Sequence, residues 1–172
     1  NKMVQGELNY IPGEYKLFDE LIVNSFDQYI RLIETDETDI FPVKNIKVTC
    51  NKETGEISVY NDSGIPIEIH QEYKIYIPEL IFANLLTSSN FDDSVERTTG
   101  GLHGLGAKLT AIFSKEFIIE TAKDGKKYTQ TFQDNLSKIN KPKITKSTKE
   151  YTKITFKPDF KRFGIEKIAD CK

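Results

Sequence analysis

The sequence predicts an α+β domain whose sheet is largely antiparallel. Two observations carry this. Apolar residues recur at helical spacing in three stretches and alternate at strand spacing in others, and the elements run helix, hairpin, helix, polar connection, helix, hairpin, strand. Such an order pairs strands mostly with their neighbours in sequence. At 172 residues, with 38% hydrophobic and 29% charged side chains, residues 1–172 suffice for one core and one domain. No internal repeat divides them.

The first helix is read from "YKLFDELIVNSFDQYIRLIE", where Leu17, Phe18, Leu21, Ile22, Phe26, Tyr29, Ile30 and Ile33 recur with helical period after the start signal "IPGE". "NIKVTC" and "EISVY" are β-branched alternating runs around the Gly-bearing turn "NKETG", a hairpin. "IPELIFANLL" reads as a second helix with Pro78 in its first turn, where its missing N–H costs nothing. "TSSNFDDSVERTTGG" is small, polar and charged, a connection long enough to be expected to act as a lid. "LGAKLTAIF" resumes helical spacing at Leu105, Leu109, Ile112 and Phe113. "EFIIETA" and "KKYTQTFQ" flank "KDG", a strong hairpin signal, and "YTKITFKP" is a last strand before a C-terminal tail.

Charge and cysteine content narrow the function. A net charge of −2 gives no global basic field, so any contact with nucleic acid has to be local or lie elsewhere. Cys50 and Cys171 have no metal-ligand spacing, and the opening "NKMVQGELNY" lacks the order of a secretion signal, so an intracellular chain is expected. No apolar run approaches the roughly 20 residues of a membrane span, and no membrane partner is expected. Both ends read as cut points in a longer chain.

Two motifs carry chemistry. Glu20, Asn24, Asp27 and Arg31 fall on one narrow stripe of the first helix, flanked by large apolar side chains. This is either an ordinary solvent face or a set of polar groups in a mostly buried setting, which then need partners. In the second case, an amide oxygen and a carboxylate one turn apart suit a hydrated Mg2+ and a base for water. The second motif is "TTGGLHGLGAKL". It fails as a Walker loop, because Ala107 intervenes before Lys108 and Leu109 follows it, and it fails as a dinucleotide fingerprint, because no Gly lies three residues after Gly106. It is either a plain loop or a bare backbone that approaches an oxyanion, with Lys108 adding a point charge.

In combination, "DELIVNSFDQ", "NDSGIPIEIH", "LIFANLLTSSNFDD" and "TTGGLHGLGAKLTAIFSKEF" closely resemble the ATPase region of eukaryotic-type (type IIA) DNA topoisomerase II, over nearly the whole chain. The resemblance implies a GHKL (Bergerat) domain, a two-layer α/β sandwich with a mixed, mainly antiparallel sheet and helices on one face. It implies ATP and Mg2+ as cofactors. It also implies contact with DNA and homodimer formation through a full-length enzyme, and action in the nucleus, or in the host cytoplasm if viral. Carried over residue by residue, Glu20 matches the general base, Asn24 the Mg2+ ligand and Asp27 a nearby acidic position. Asn61 stands where the superfamily has its adenine-reading Asp. Ser88, Ser89 and Asn90 match lid residues at ribose and phosphates, and Gly101, Gly104, Gly106, Ala107 and Lys108 match the loop around the triphosphate.

The chain departs from the family pattern twice. "NDSGIP" is one residue short before its proline, so Gly64 is the one secure glycine there and the adenine side is shared among Asn61, Asp62, Gly64 and Ile65. "GGLHGLG", with Leu102, His103 and Leu105, has the spelling of bacterial gyrase; His103 is either a phosphate donor or a loop His satisfied by backbone. The family's N-terminal arm, its transducer, which supplies a lysine to the γ-phosphate, and its DNA-cleavage domain match nothing in these residues. The chain alone is therefore expected to turn over little ATP. Rival readings are a gyrase B-like subunit, a chaperone-like or MutL-like ATPase, and a non-catalytic nucleotide-binding module. The lysine-rich "KINKPKITKSTKEYTK" is either a DNA contact or a solvated hairpin edge.

Overall fold

The computed structural model describes residues 10–34, 43–84 and 106–165. Three helices, α1 (Pro12–Glu34), α2 (Ile77–Phe82) and α3 (Gly106–Ile112), lie against a seven-stranded sheet formed by β1 (Ile46–Asn51), β2 (Glu56–Asn61), β3 (Ser114–Lys123), β4 (Lys126–Gln133), β5 (Lys138–Ile139), β6 (Lys143–Lys146) and β7 (Tyr151–Pro158). A 3-10 turn at Phe160–Phe163 ends the described chain. The strand order is β1-β2-β7-β3-β4-β5, with β6 also on β4, and every pairing among the described residues is antiparallel.

Register explains why the helices sit on one face. Ile57, Phe156, Phe117 and Phe132 form one cross-strand rung, and Val59, Ile154, Ile119 and Gln130 the next. Because side chains alternate across a strand, these residues share a face, and most of them are buried beneath Leu17 and Leu21 of α1, Phe82 of α2, and Ala107 and Ala111 of α3. Aromatic rings fill the centre: Phe117 meets Phe132 edge-on at 6.3 Å between centroids and Phe82 at 6.5 Å. The Thr110 hydroxyl donates to the Leu17 carbonyl at 3.0 Å and so ties α3 to α1. Tyr128 is buried on the same face, donating to the Gln130 side-chain oxygen, while Gln130 Nε2 donates to Glu79 at 2.8 Å.

Local chemistry accounts for the boundaries. Pro12 and Pro78 stand in first turns, and the β3–β4 hairpin turns on Asp124 and Gly125, both at positive φ (49° and 78°), as a primed turn requires. The structure departs from the sequence expectation, or adds to it, in three places. Phe26, expected on the apolar stripe, is 52% exposed. The lysine-rich segment contains the short strands β5 and β6, which owe their existence to pairing with β4. The inward positions of β1, Ile46 and Val48, are exposed, unlike their rung partners on β2.

Phe156→Ala should cost about 3–5 kcal/mol, since it empties the middle of the first rung where relaxation is limited by four strands. Urea unfolding with an unchanged m-value would measure this, and a loss under about 1 kcal/mol would show that the core lies elsewhere.

Candidate functional site

The polar stripe of α1 turns inward. Glu20 and Asn24 are half-buried and Asp27 is buried, while Phe26 beside it faces solvent, an inversion that an ordinary amphipathic helix does not show. The side chain of Arg31 lies outside the described residues. Glu20 is held from two sides. Lys16, one turn earlier, places Nζ 2.7 Å from Oε1 and 3.0 Å from Asp19, and these carboxylates raise the lysine pKa. On the other side lies Gly106, the first residue of α3. A Cβ built there would stand 1.7 Å from Glu20 Oε2, so the carboxylate occupies the space that any other residue would fill.

Further along α1, Ser25 opens a second polar group. Its hydroxyl donates to the Leu21 carbonyl at 3.1 Å and accepts from Asn61 Nδ2 at 3.3 Å. Asn61 ends β2, and its Oδ1 accepts the Ser63 N–H at 3.1 Å. Asn61, Thr152, Thr121 and Tyr128 make the third inward rung of the sheet. Thr121 Oγ1 accepts the Ile65 N–H at 2.9 Å and lies 3.0 Å from Thr152 Oγ1, which donates to the Ser63 carbonyl at 2.7 Å. Gly64 makes this possible: a Cβ there would stand 2.2 Å from the Ala122 carbonyl oxygen, so the loop runs hard against β3. Asn61 retains an amide proton and an oxygen lone pair beyond these bonds.

Asp62 points elsewhere. Its Oδ1 accepts the N–H groups of Lys44 and Asn45 at 2.7 and 3.1 Å, and its Oδ2 accepts Asn45 Nδ2 at 2.8 Å. Partial burial acts to raise its pKa, but the three donors from Asn45 and Lys44 prevail and hold it below the ordinary value. Lys108 is 1% exposed in α3, between the buried Ala107 and Thr110, and burial lowers its pKa. A lysine so placed in the first turn of a helix is uncommon in a structural role.

Ser88, Ser89, Asn90, Gly101, Leu102, His103, Gly104 and Leu105, with the expected lid, lie outside the described residues. Among those described, α1 carries both groups: Glu20 against Gly106, and Ser25 against Asn61, roughly 7 Å further along the axis. Ser25, Ser63, Thr121 and Thr152 were not singled out from the sequence. Among the described residues no cluster of three or more His, Cys, Asp or Glu is placed to hold a metal.

No family model matches the chain. Curated proteins do match it. It is 49% identical over 174 residues to "DNA topoisomerase 2" of Plasmodium falciparum and 52% identical over 173 residues to that of Meyerozyma guilliermondii, covering 99% and 98% of this chain. It spans about 12% of the length of each of these relatives. Among solved structures, the ATPase region of Saccharomyces cerevisiae topoisomerase II superposes with a TM-score of 0.85 at 47% identity, covering 95% of this chain and 42% of that one. The chain belongs to the ATPase regions of DNA topoisomerase 2. An ATPase region of this family has the two-layer sandwich described above, and the 43K ATPase domain of Thermus thermophilus gyrase B, at 23% identity and a TM-score of 0.68, shares the fold alone.

The two glycines should part company on substitution. In Gly64→Ala the added methyl meets backbone, and we expect a loss of about 2 kcal/mol or more; in Gly106→Ala it meets the end of a flexible side chain, and about 1 kcal/mol or less is expected. Equal losses in paired denaturation curves would mean that Glu20 is fixed far more rigidly than a side-chain terminus.

Proposed function

We propose that this domain binds ATP and hydrolyses it, and that in the longer enzyme this drives closure of a dimer gate around a DNA duplex. The observation that carries the reading is Glu20 lying on Gly106, which puts a carboxylate at the start of the helix that follows the glycine-rich segment. Glu20 is the base: its carboxylate takes the proton of the water that attacks the terminal phosphate, while Lys16 holds its other oxygen. Asn24 supplies a neutral oxygen ligand, the kind of donor that suits Mg2+ shared with phosphates rather than caged by protein. When bound, the ion neutralises charge on the phosphates. Lys108 adds a fixed positive charge near the first turn of α3, and backbone amides of the glycine segment cradle the triphosphate.

The adenine falls to the Ser25–Asn61–Thr121 group. Of the two candidate readers, Asn61 is the one supported, because Asp62 has both oxygens engaged in clamping residues 44 and 45. Homodimer formation, passage of DNA and a nuclear place of action follow from the same reading of the relatives, which are named as DNA topoisomerases.

Two measurements test this in the full-length protein. Glu20→Gln should lower the ATP hydrolysis rate by about 10²-fold or more while leaving ATP binding within a few-fold, and persistent turnover would remove Glu20 from the mechanism. Asn61→Ala should weaken ATP at least tenfold yet leave inorganic tripolyphosphate untouched, whereas Asp62→Asn should change neither; the reverse ranking would assign the adenine to Asp62.

A further inference from the structure

The sheet edge opposite β1 carries a concentration of positive charge that nothing in the nucleotide chemistry uses. Residues 123–149 hold eight lysines against Asp124 and Asp134, a surplus of six in a chain whose balance is −2. The remaining residues therefore carry a net charge of −8. Register gathers part of this charge into a row. Lys123 of β3 stands opposite Lys126 of β4, and Lys126 stands opposite Lys146 of β6, so three lysines sit side by side across three strands on one face. Strand spacing puts neighbours about 5 Å apart. Lys143, opposite Thr129, adds a fourth lysine on the other face of the same edge.

Like charges directly opposite one another weaken a sheet, and adjacent hairpins normally avoid them. Here the strain is not relieved locally: among the described residues Lys123, Lys126, Lys143 and Lys146 make no ion pair, whereas Lys127 and Lys157 on the outer face are paired with Glu120 and Glu116. All of β6 is exposed. Lysines on an edge strand also discourage sheet-to-sheet aggregation, but that purpose needs charge on the edge alone. Lys126 and Lys123 lie one and two strands further in.

We propose that the Lys123–Lys126–Lys146 row, with Lys143, is a docking surface for the phosphate backbone of duplex DNA. This deepens the reading given under Proposed function, from which the choice of DNA as the polyanion follows. Charge complementarity is the supporting argument: a duplex presents one negative charge per roughly 1.7 Å of axis, and each lysine that replaces a counterion contributes to the salt dependence of binding. The surface reads no sequence. It orients a duplex against the β4–β6 edge of the domain.

The test compares, in the full-length protein, Lys126→Gln/Lys143→Gln/Lys146→Gln with a control of equal charge change, Lys44→Gln/Lys52→Gln/Lys161→Gln. Binding of a mixed-sequence duplex of about 30 base pairs is measured by anisotropy over a salt series. The row variant should flatten the slope of log K against log salt by about 2 to 3, at roughly 0.9 per lost contact, with no such change in the control. Removing the repulsion should leave its melting temperature unchanged or raised. Equal slopes for the two variants overturn the proposal. So does a row variant that self-associates with its slope intact, which would assign the lysines to edge protection, or one that loses binding only to phosphatidylserine vesicles. ATP hydrolysis without DNA, measured alongside, separates the two readings: if it persists while the slope is unchanged, only this surface fails, and if it is absent from the parent while the slope flattens, only the nucleotide reading fails.

Discussion

The close approach of Glu20 to Gly106 is the constraint on which the site is built, because it sets a carboxylate of α1 directly against the backbone that opens α3. A carboxylate needs room and partners when it leaves bulk water. Room comes from the missing side chain at 106, and one partner comes from Lys16 a turn away. The Thr110–Leu17 hydrogen bond and the packing of Leu17, Leu21, Ala107 and Ala111 then hold α1 and α3 in that relation. Chemistry and core are thus set by the same pair of helices, with the apolar face of each locking the polar face of the other.

The other end of the site depends on the sheet rather than on helix packing. Thr121 and Thr152 are neighbours on adjacent strands, and their hydroxyls bind the backbone of the 63–65 loop in place of water. This fixes the position of Asn61 at the end of β2. Two Ile/Phe-rich rungs below supply the rigidity, so a small polar cluster sits on a firm apolar base.

Where a single local signal set the outcome, the sequence was a good guide. α1, the β3–β4 hairpin and β7 follow from periodicity and from Asp124-Gly125; the polar stripe of α1 at 20, 24 and 27 stood out between apolar flanks, but spacing alone left open whether it faced solvent or the interior. What escaped was set by partners distant in sequence. Thr121 and Thr152 look like ordinary strand formers until register places them side by side, and β5 and β6 have no alternation to announce them. Phe26 satisfied the helical spacing, yet it is exposed because its neighbours Ser25 and Asp27 take the buried side. Spacing also could not divide the labour between Asn61 and Asp62, since only the loop at 44–45 shows what Asp62 holds.

The antiparallel pairing of β2 with β7 has a consequence for synthesis. Tyr60 pairs with Lys153, some ninety residues later, so during translation the first helix and first hairpin leave the ribosome long before the strand that completes their layer. Long-range pairing of this kind is entropically late. Until the last strand emerges, the nascent chain exposes an unfinished edge on β2, and the third rung beneath Asn61 lacks its Thr152. The two halves of the sheet are therefore joined late, by the strand that pairs with both β2 and β3.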